Sequence, residues 1–226
     1  MTTGAADDNV FYLPVTVGGA YNTGVTGNFK TNGDAPENYL FDWKFTSTTA
    51  FNQPHRIAFD PAGNIFVTDY AGHRVQKFDY KGVFIAKWGR NGGDGTSGTG
   101  NGEFNNPDGI AVDSEGNVFV ADRLKHRIQK FDNNGNFLLK WGVNGDNDGL
   151  KFRQPCGMCF DKDGYLYVAD WNNHCVKKYD RNGNYVTVGA DGVFGAGGVN
   201  DAVAGAGDGY LNQPQDVIVD SSGNVY

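Results

Sequence analysis

Cysteine is scarce in this chain of 226 residues: Cys156, Cys159 and Cys175 are the whole set. An odd and sparse set gives no disulfide framework. Long apolar runs are missing too, and no stretch approaches the ~20 apolar residues that a bilayer-spanning helix needs. Charge is modest, with Asp, Glu, Lys and Arg making up 20% of the residues and a formal net charge of −7. That balance excludes a charge-driven disordered chain. It also gives no broadly basic surface for nucleic acid, while leaving room for a local basic patch, because recognition is local and net charge is a sum. What is abundant is glycine, at 34 residues, and aromatic side chains, at 14%. Plentiful glycine and aromatics around short apolar runs fit an all-β chain that turns often.

The chain repeats itself. Blocks run from Phe51 to Gly89, Phe104 to Gly142 and Phe152 to Gly189, and a fourth opens at Leu211 and reaches Tyr226. Pro54, Pro107, Pro155 and Pro214 mark the register, at separations of 53, 48 and 59 residues. The blocks barely change length, so the variation sits in Gly-rich connectors, where loops tolerate insertion.

Each block breaks into four strand signals. The first is Ile57–Phe59, with copies at Ile110–Val112, Met158–Phe160 and Val217–Val219. A turn with Gly63, Gly116, Gly164 or Gly223 leads to the second, Ile65–Thr68 and its copies. The third is Val75–Phe78, in which Val75/Lys77 and Gln76/Phe78 point to opposite faces. A turn at Gly82, Gly135 or Gly183 precedes the fourth, Val83–Trp88 and its copies. The first two strands are apolar nearly throughout, as suits strands covered on both faces. Four antiparallel strands per unit of roughly 40 residues is the signature of a propeller blade.

The pattern P-x-G-I-A-V-D, G-N-x-F-V-A-D, H-R-I-Q-K-F-D and a closing Gly resembles the NHL repeat, in three full copies and one partial copy over residues 51–226. The family's naming tripeptide is echoed at Gly72-His73-Arg74, Lys125-His126-Arg127 and Asn173-His174-Cys175. The resemblance implies an all-β fold, a β-propeller of four-stranded blades that commonly number six. The expected organisation is a Gly/Asn/Thr-rich segment at 1–38 and a propeller at 39–226. Its blades are expected at 51–89, 104–142 and 152–189, with part of a fourth at 211–226. Residues 39–46, with LFDWKFT at 40–46, match a fourth strand that no first three precede. Family propellers often close through such an N-terminal outer strand, and that is the expectation here. Tyr226 aligns with Phe66, Phe119 and Tyr167 inside a second strand, so the sequence reads as a fragment of a longer protein.

In a propeller the first strand of each blade lines the central channel. The residues following the marker prolines, His55, Asp108, Cys156 and Gln215, are therefore expected at the channel mouth. They differ between copies, and variation on a common frame is where function is grafted. Alternating strand direction brings the turns between second and third strands to the same face. Tyr70, Arg123, Lys125 and Trp171 join the mouth there, a mixed aromatic and basic rim suited to a protein, peptide or glycan.

His55 follows a proline as the zinc histidines of the related peptide-amidating lyases do, yet zinc takes three or four ligands and the equivalent positions hold Asp, Cys and Gln. His73, His126 and His174 share one repeat position, so a radial array keeps them apart and makes them turn residues. Asp69, Asp122 and Asp170 are expected to hydrogen-bond the amides of those turns. Cys156 and Cys159 spell C-x-x-C with no second pair, and Cys159 stands where the other copies have alanine. Calcium is suggested by Asp161–Gly164 and 144–149, and neither segment has the twelve-residue loop with a distal Glu. The expectation is a binding scaffold with no catalytic residue assigned. A metal-dependent lyase or hydrolase, an RNA binder, and the substrate-recognition arm of a larger protein such as a ubiquitin ligase are the alternatives.

Overall fold

A computed structural model of the chain describes residues 30–31, 39–40, 50–145, 150–187 and 210–226. Two short strands come first, β1 (Lys30–Thr31) paired antiparallel with β2 (Tyr39–Leu40). Residues 41–49, which hold most of the expected closing strand, lie outside the described residues.

The first blade is β3 (Pro54–Phe59), β4 (Ile65–Asp69), β5 (Arg74–Phe78) and β6 (Phe84–Gly89), a four-stranded antiparallel sheet in sequence order. The second repeats it with β7 (Pro107–Val112), β8 (Val118–Asp122), β9 (Arg127–Phe131) and β10 (Phe137–Trp141). In the connector that follows, β11 (Val143–Asn144) and β12 (Lys151–Phe152) form a small parallel pair. The third blade has β13 (Pro155–Phe160), β14 (Leu166–Asp170) and β15 (Cys175–Tyr179), plus a bridge from Tyr179 to Tyr185 where the fourth strand is expected. Residues 188–209 lie outside the described residues. In the fourth repeat Val219 bridges Val225 and Ile218 exchanges two backbone hydrogen bonds with Tyr226, so its first turn is formed.

The inner strands begin earlier than the apolar runs suggest. Each starts at its marker proline, and the ladder shifts register between Pro54 and Ile57, Pro107 and Ile110, and Pro155 and Met158. Proline donates no hydrogen bond, and a bulge beside it accommodates that loss.

Every first turn is closed by an aspartate. Asp60, Asp113, Asp161 and Asp220 each accept backbone N–H groups two and four residues on with one carboxylate oxygen. Asp161 thus acts as a turn cap, and its other oxygen lies 3.3 Å from Lys178 Nζ.

The blades stack through apolar faces. Phe66, Val75 and Trp88 of the first meet Ile110, Val118, Val120 and Phe131 of the second. Phe119, Ala121 and Ile128 meet Met158, Leu166 and Val168 of the third, and Tyr167, Ala169 and Val176 meet Val217 and Val219 of the fourth. Both faces of the middle strands are therefore covered, and β5 is buried at all five positions. The alternation of Val75/Lys77 with Gln76/Phe78 is one of residue type, because Lys77 also points inward: its ammonium bonds Asn133 and lies 5.2 Å from the Phe66 ring centroid.

Candidate functional site

Inner strands β3, β7 and β13 lie side by side, and the Gly157 amide donates to the Gln215 carbonyl of the fourth repeat. Two glycines permit this approach. A Cβ at Gly109 would sit 1.8 Å from the Cys156 carbonyl oxygen, and one at Gly157 would sit 2.0 Å from Asp216 Oδ1. At the mouth these strands enclose a cavity of about 240 Å³ lined by His55, Arg56, Asp108, Arg123, Cys156 and Gln215. All four residues that follow the marker prolines thus come together, with Arg123 of the facing turn beside them.

Asp108 organises the cavity. It is buried, at 3% exposure, and two arginines and a histidine surround it. Arg123 Nη1 lies 2.9 Å from Oδ2, while His55 Nδ1 at 3.3 Å and Arg56 Nε at 3.8 Å face Oδ1. Burial by itself would raise its pKa. The hydrogen bond from His55 and the charges of His55, Arg123 and Arg56 outweigh burial and hold the carboxyl below the ordinary aspartate range.

The rim residues split into pairs. The Tyr70 ring stacks on His55 with centroids 4.1 Å apart and planes at 11°, and the Arg123 guanidinium lies 4.7 Å over the Trp171 ring. Tyr70, Arg123 and Trp171 occupy one repeat position in successive blades, so a planar group from each blade frames the mouth. Lys125 lies apart from them and lines a second cavity of about 190 Å³ with Arg90, Thr99 and Glu103.

Arg56 and Asp216 also belong to the site, and the residues after the prolines do not point to them. Arg56 Nη1 is 2.7 Å from Asp216 Oδ2, and Nη2 donates to the Gln215 carbonyl, so the first repeat is tied to the fourth. The signal was in the next column of the repeat, two residues after each proline, which reads Arg56, Gly109, Gly157, Asp216. Glycine in the middle copies lets strands approach, and opposite charges in the outer two meet.

The C-x-x-C pair is inert here. Burial pushes the thiols of Cys156 and Cys159 up to about 12, so neither is a thiolate at neutral pH. Among the described residues no group of three His, Cys, Asp or Glu side chains is placed to hold a metal ion. His73, His126 and His174 lie on separate turns, and each Nδ1 accepts an amide of the next repeat: Asn106 at 3.0 Å, and Gln154 and Gln213 at 3.1 Å. The aspartates before those turns bond differently from expectation. Asp69, Asp122 and Asp170 accept the amides of Asn52, Asn105 and Arg153, which precede the inner strand, and not the amides of the turn.

Four-stranded antiparallel blades packed face to face, with inner strands around a common mouth, define a β-propeller. The chain carries three NHL repeats: the NHL repeat model matches residues 51–78, 104–131 and 152–179. Among curated relatives, peptidyl-alpha-hydroxyglycine alpha-amidating lyase 1 of Drosophila melanogaster is 34% identical over 105 residues, 46% of this chain and 19% of that protein. Protein lin-41 of Caenorhabditis elegans is 52% identical over 46 residues, 20% of this chain and 4% of that protein. Human NHL repeat-containing protein 3 is 34% identical over 95 residues, 40% of this chain and 26% of that protein. The matched segments span about a quarter or less of these relatives. Among solved structures, the Kuenenia stuttgartiensis hydrazine synthase superposes with a TM-score of 0.53 at 15% identity, over 82% of this chain and 44% of that one. The virginiamycin B lyase of Staphylococcus aureus gives 0.51 at 11% identity, over 81% and 57%. At such identities the likeness is one of fold.

Proposed function

We propose that this chain is a binding scaffold that holds a protein, peptide or glycan ligand on the channel-mouth face. The observation that carries the reading is convergence: positions that differ in every repeat, after the prolines and at the start of the facing turns, line one cavity and its rim. The frame beneath is rigid and repeated, so specificity resides in those side chains. Selection of a displayed peptide library and a glycan array on the purified protein tests it. A face variant, Tyr70→Ala with Arg123→Ala and Trp171→Ala, should lose at least ~10-fold in affinity for the selected ligands, as expected when anchoring aromatic and arginine side chains are truncated. Ligands that bind wild type and a folded face variant equally would place recognition elsewhere and sink the reading.

One observation favours a second reading, a metal-dependent lyase. His55 directs Nδ1 at a buried carboxylate, the orientation that metal-binding histidines use, and an amidating lyase is among the relatives. The described residues do not by themselves make a zinc site. Plasma mass spectrometry of the purified protein decides this: stoichiometric zinc that falls in His55→Ala supports a metal centre, and zinc-free protein removes it.

A further inference from the structure

The channel-mouth cavity differs in charge from the chain around it. The protein is net negative, at −7, yet the ionisable side chains lining the cavity include two guanidiniums and an imidazole against one carboxylate. That carboxylate, Asp108, is already shared among Arg123, His55 and Arg56. A guanidinium carries five N–H donors, so Asp108 cannot satisfy both arginines. Asp216 and the Gln215 carbonyl engage Arg56 from one side. Arg123 makes one side-chain hydrogen bond, through Nη1 to Asp108, and its buried Nε has no hydrogen-bond partner among the described residues. The Trp171 ring against its face fixes the guanidinium plane. A planar, pre-oriented guanidinium with spare donors matches the two oxygens of a carboxylate.

Arg123 and Lys125 are the first and last residues of one 3-10 turn, with the exposed Leu124 between them. Arg123 serves the channel-mouth cavity and Lys125 the second cavity, where Arg90 adds another cation. Glu103 in that cavity is committed, because its Oε2 accepts the amides of Thr99 and Gly100. The loop that forms the cavity is held from below. Arg127 donates to the carbonyls of Thr99, Gly100 and Glu103, and Gln129 donates to the Glu103 carbonyl and accepts the Gly102 amide. Both cavities are therefore pre-formed, and a ligand that fills both must be a chain running over the turn.

We infer that this face binds an acidic peptide, with one carboxylate seated on Arg123 and Arg56 at the channel mouth and a second reaching Lys125 and Arg90. The inference rests on the scaffold reading and names its partner. Three probes test it by NMR titration of the Arg123 Nε–H signal and by calorimetry: acetyl-Glu-amide, its uncharged isostere acetyl-Gln-amide, and hexaglutamate. Acetyl-Glu-amide should shift the Arg123 signal saturably and bind at least ~10-fold more tightly than acetyl-Gln-amide. Hexaglutamate should gain at least a further ~10-fold by using both cavities. Lys125→Gln should remove that gain while leaving acetyl-Glu-amide unaffected. Arg123→Gln should abolish binding of both acidic probes. Arg123→Lys, which keeps the charge and loses the fork, should weaken both, and it carries the test if Arg123→Gln does not fold by circular dichroism. Equal affinity for the Glu and Gln probes, or no gain for hexaglutamate, overturns the inference. If library selection then yields face-dependent ligands without acidic residues, the scaffold reading stands and this inference alone falls. If selection yields no face-dependent ligand either, both fall.

Discussion

At the scale of the residue, one column of the repeat decides how closely the inner strands meet. Gly109 and Gly157 face neighbouring backbone or side-chain atoms at distances no Cβ tolerates. Gly223 meets nothing within 4 Å, yet its φ of +89° is a left-handed conformation. The two kinds of glycine should respond differently to alanine. Gly109→Ala forces the inner strands apart and should destabilise by about 1–3 kcal/mol or more through overpacking. Gly223→Ala meets only backbone strain and should cost about 1–2 kcal/mol. Urea denaturation reads both, and equal losses would show that the close approach does not limit stability. Asp108 belongs to the same scale. Asp108→Asn keeps its size and removes the charge that Arg123 and Arg56 share, so it should cost about 3–5 kcal/mol, the range for breaking a buried ion pair. An unchanged urea midpoint would mean that the two arginines are satisfied without it.

At the scale of the element, the blades share one polar clamp built in two ways. In the first two, Asp69 and Asp122 accept from Arg74 Nε and Arg127 Nε, with Gln76 and Gln129 adding a second donor. In the third, Cys175 stands at the arginine position, and the cation moves two residues along to Lys177, whose Nζ lies 2.8 Å from Asp170 Oδ2. Asn173 supplies the second donor at 2.7 Å, and Lys177 also bonds the Lys151 carbonyl. The buried carboxylate keeps its cation because an unpaired buried charge is strongly unfavourable. Lys177→Gln alone should therefore destabilise by about 3–5 kcal/mol. Adding Cys175→Arg, which restores the arrangement of the first two blades, should recover part of that loss. The double-mutant cycle should show coupling of about 0.5–3 kcal/mol, and simple additivity would argue that the two positions do not share Asp170.

At the scale of the whole molecule, histidines join one repeat to the next. Each accepts, through Nδ1, the amide of the left-handed residue before the next marker proline, Asn106, Gln154 or Gln213. An accepting Nδ1 is unprotonated, so these joints need neutral imidazoles. Burial pushes the pKa of His73 and His126 below the ordinary value, against Asp69 for the one and Asp170 for the other. In the unfolded chain they take up protons as pH falls past about 6.5. Their contribution is therefore present above that pH and is lost as pH falls through the depressed folded values. Burial also pushes Asp122 up to about 6, and proton uptake there favours the fold as pH falls, in the opposite sense. Comparison of variants separates the two. Wild type should lose about 2–4 °C in Tm per kcal/mol of joint lost between pH 7.5 and 5.5, and His73→Asn with His126→Asn should have a flatter profile over the same window. Parallel profiles would show that the histidines do not carry the pH dependence.

Much of this was legible in the sequence because a repeat reports its own register. The period, the turn glycines and the alternation of Val75 with Gln76 gave the blades and their order, and the columns after the prolines picked out His55, Asp108, Cys156 and Gln215 for the mouth. Local pattern could not show what crosses between repeats. The Arg56–Asp216 pair joins residues 160 apart in the chain. The inner strands extend back to the prolines because neighbouring strands pair with them, which no apolar run reports. Asp69 bonds an amide that precedes the inner strand, and Lys177 replaces a cation two residues away, because both answer to a buried site that only packing creates. The sequence by itself determined the blade, its turns and the residues that vary, since these follow from short-range backbone preference and a period. The tertiary structure alone decided which of those residues meet, because the cavity at the channel mouth exists only once separate repeats are packed side by side.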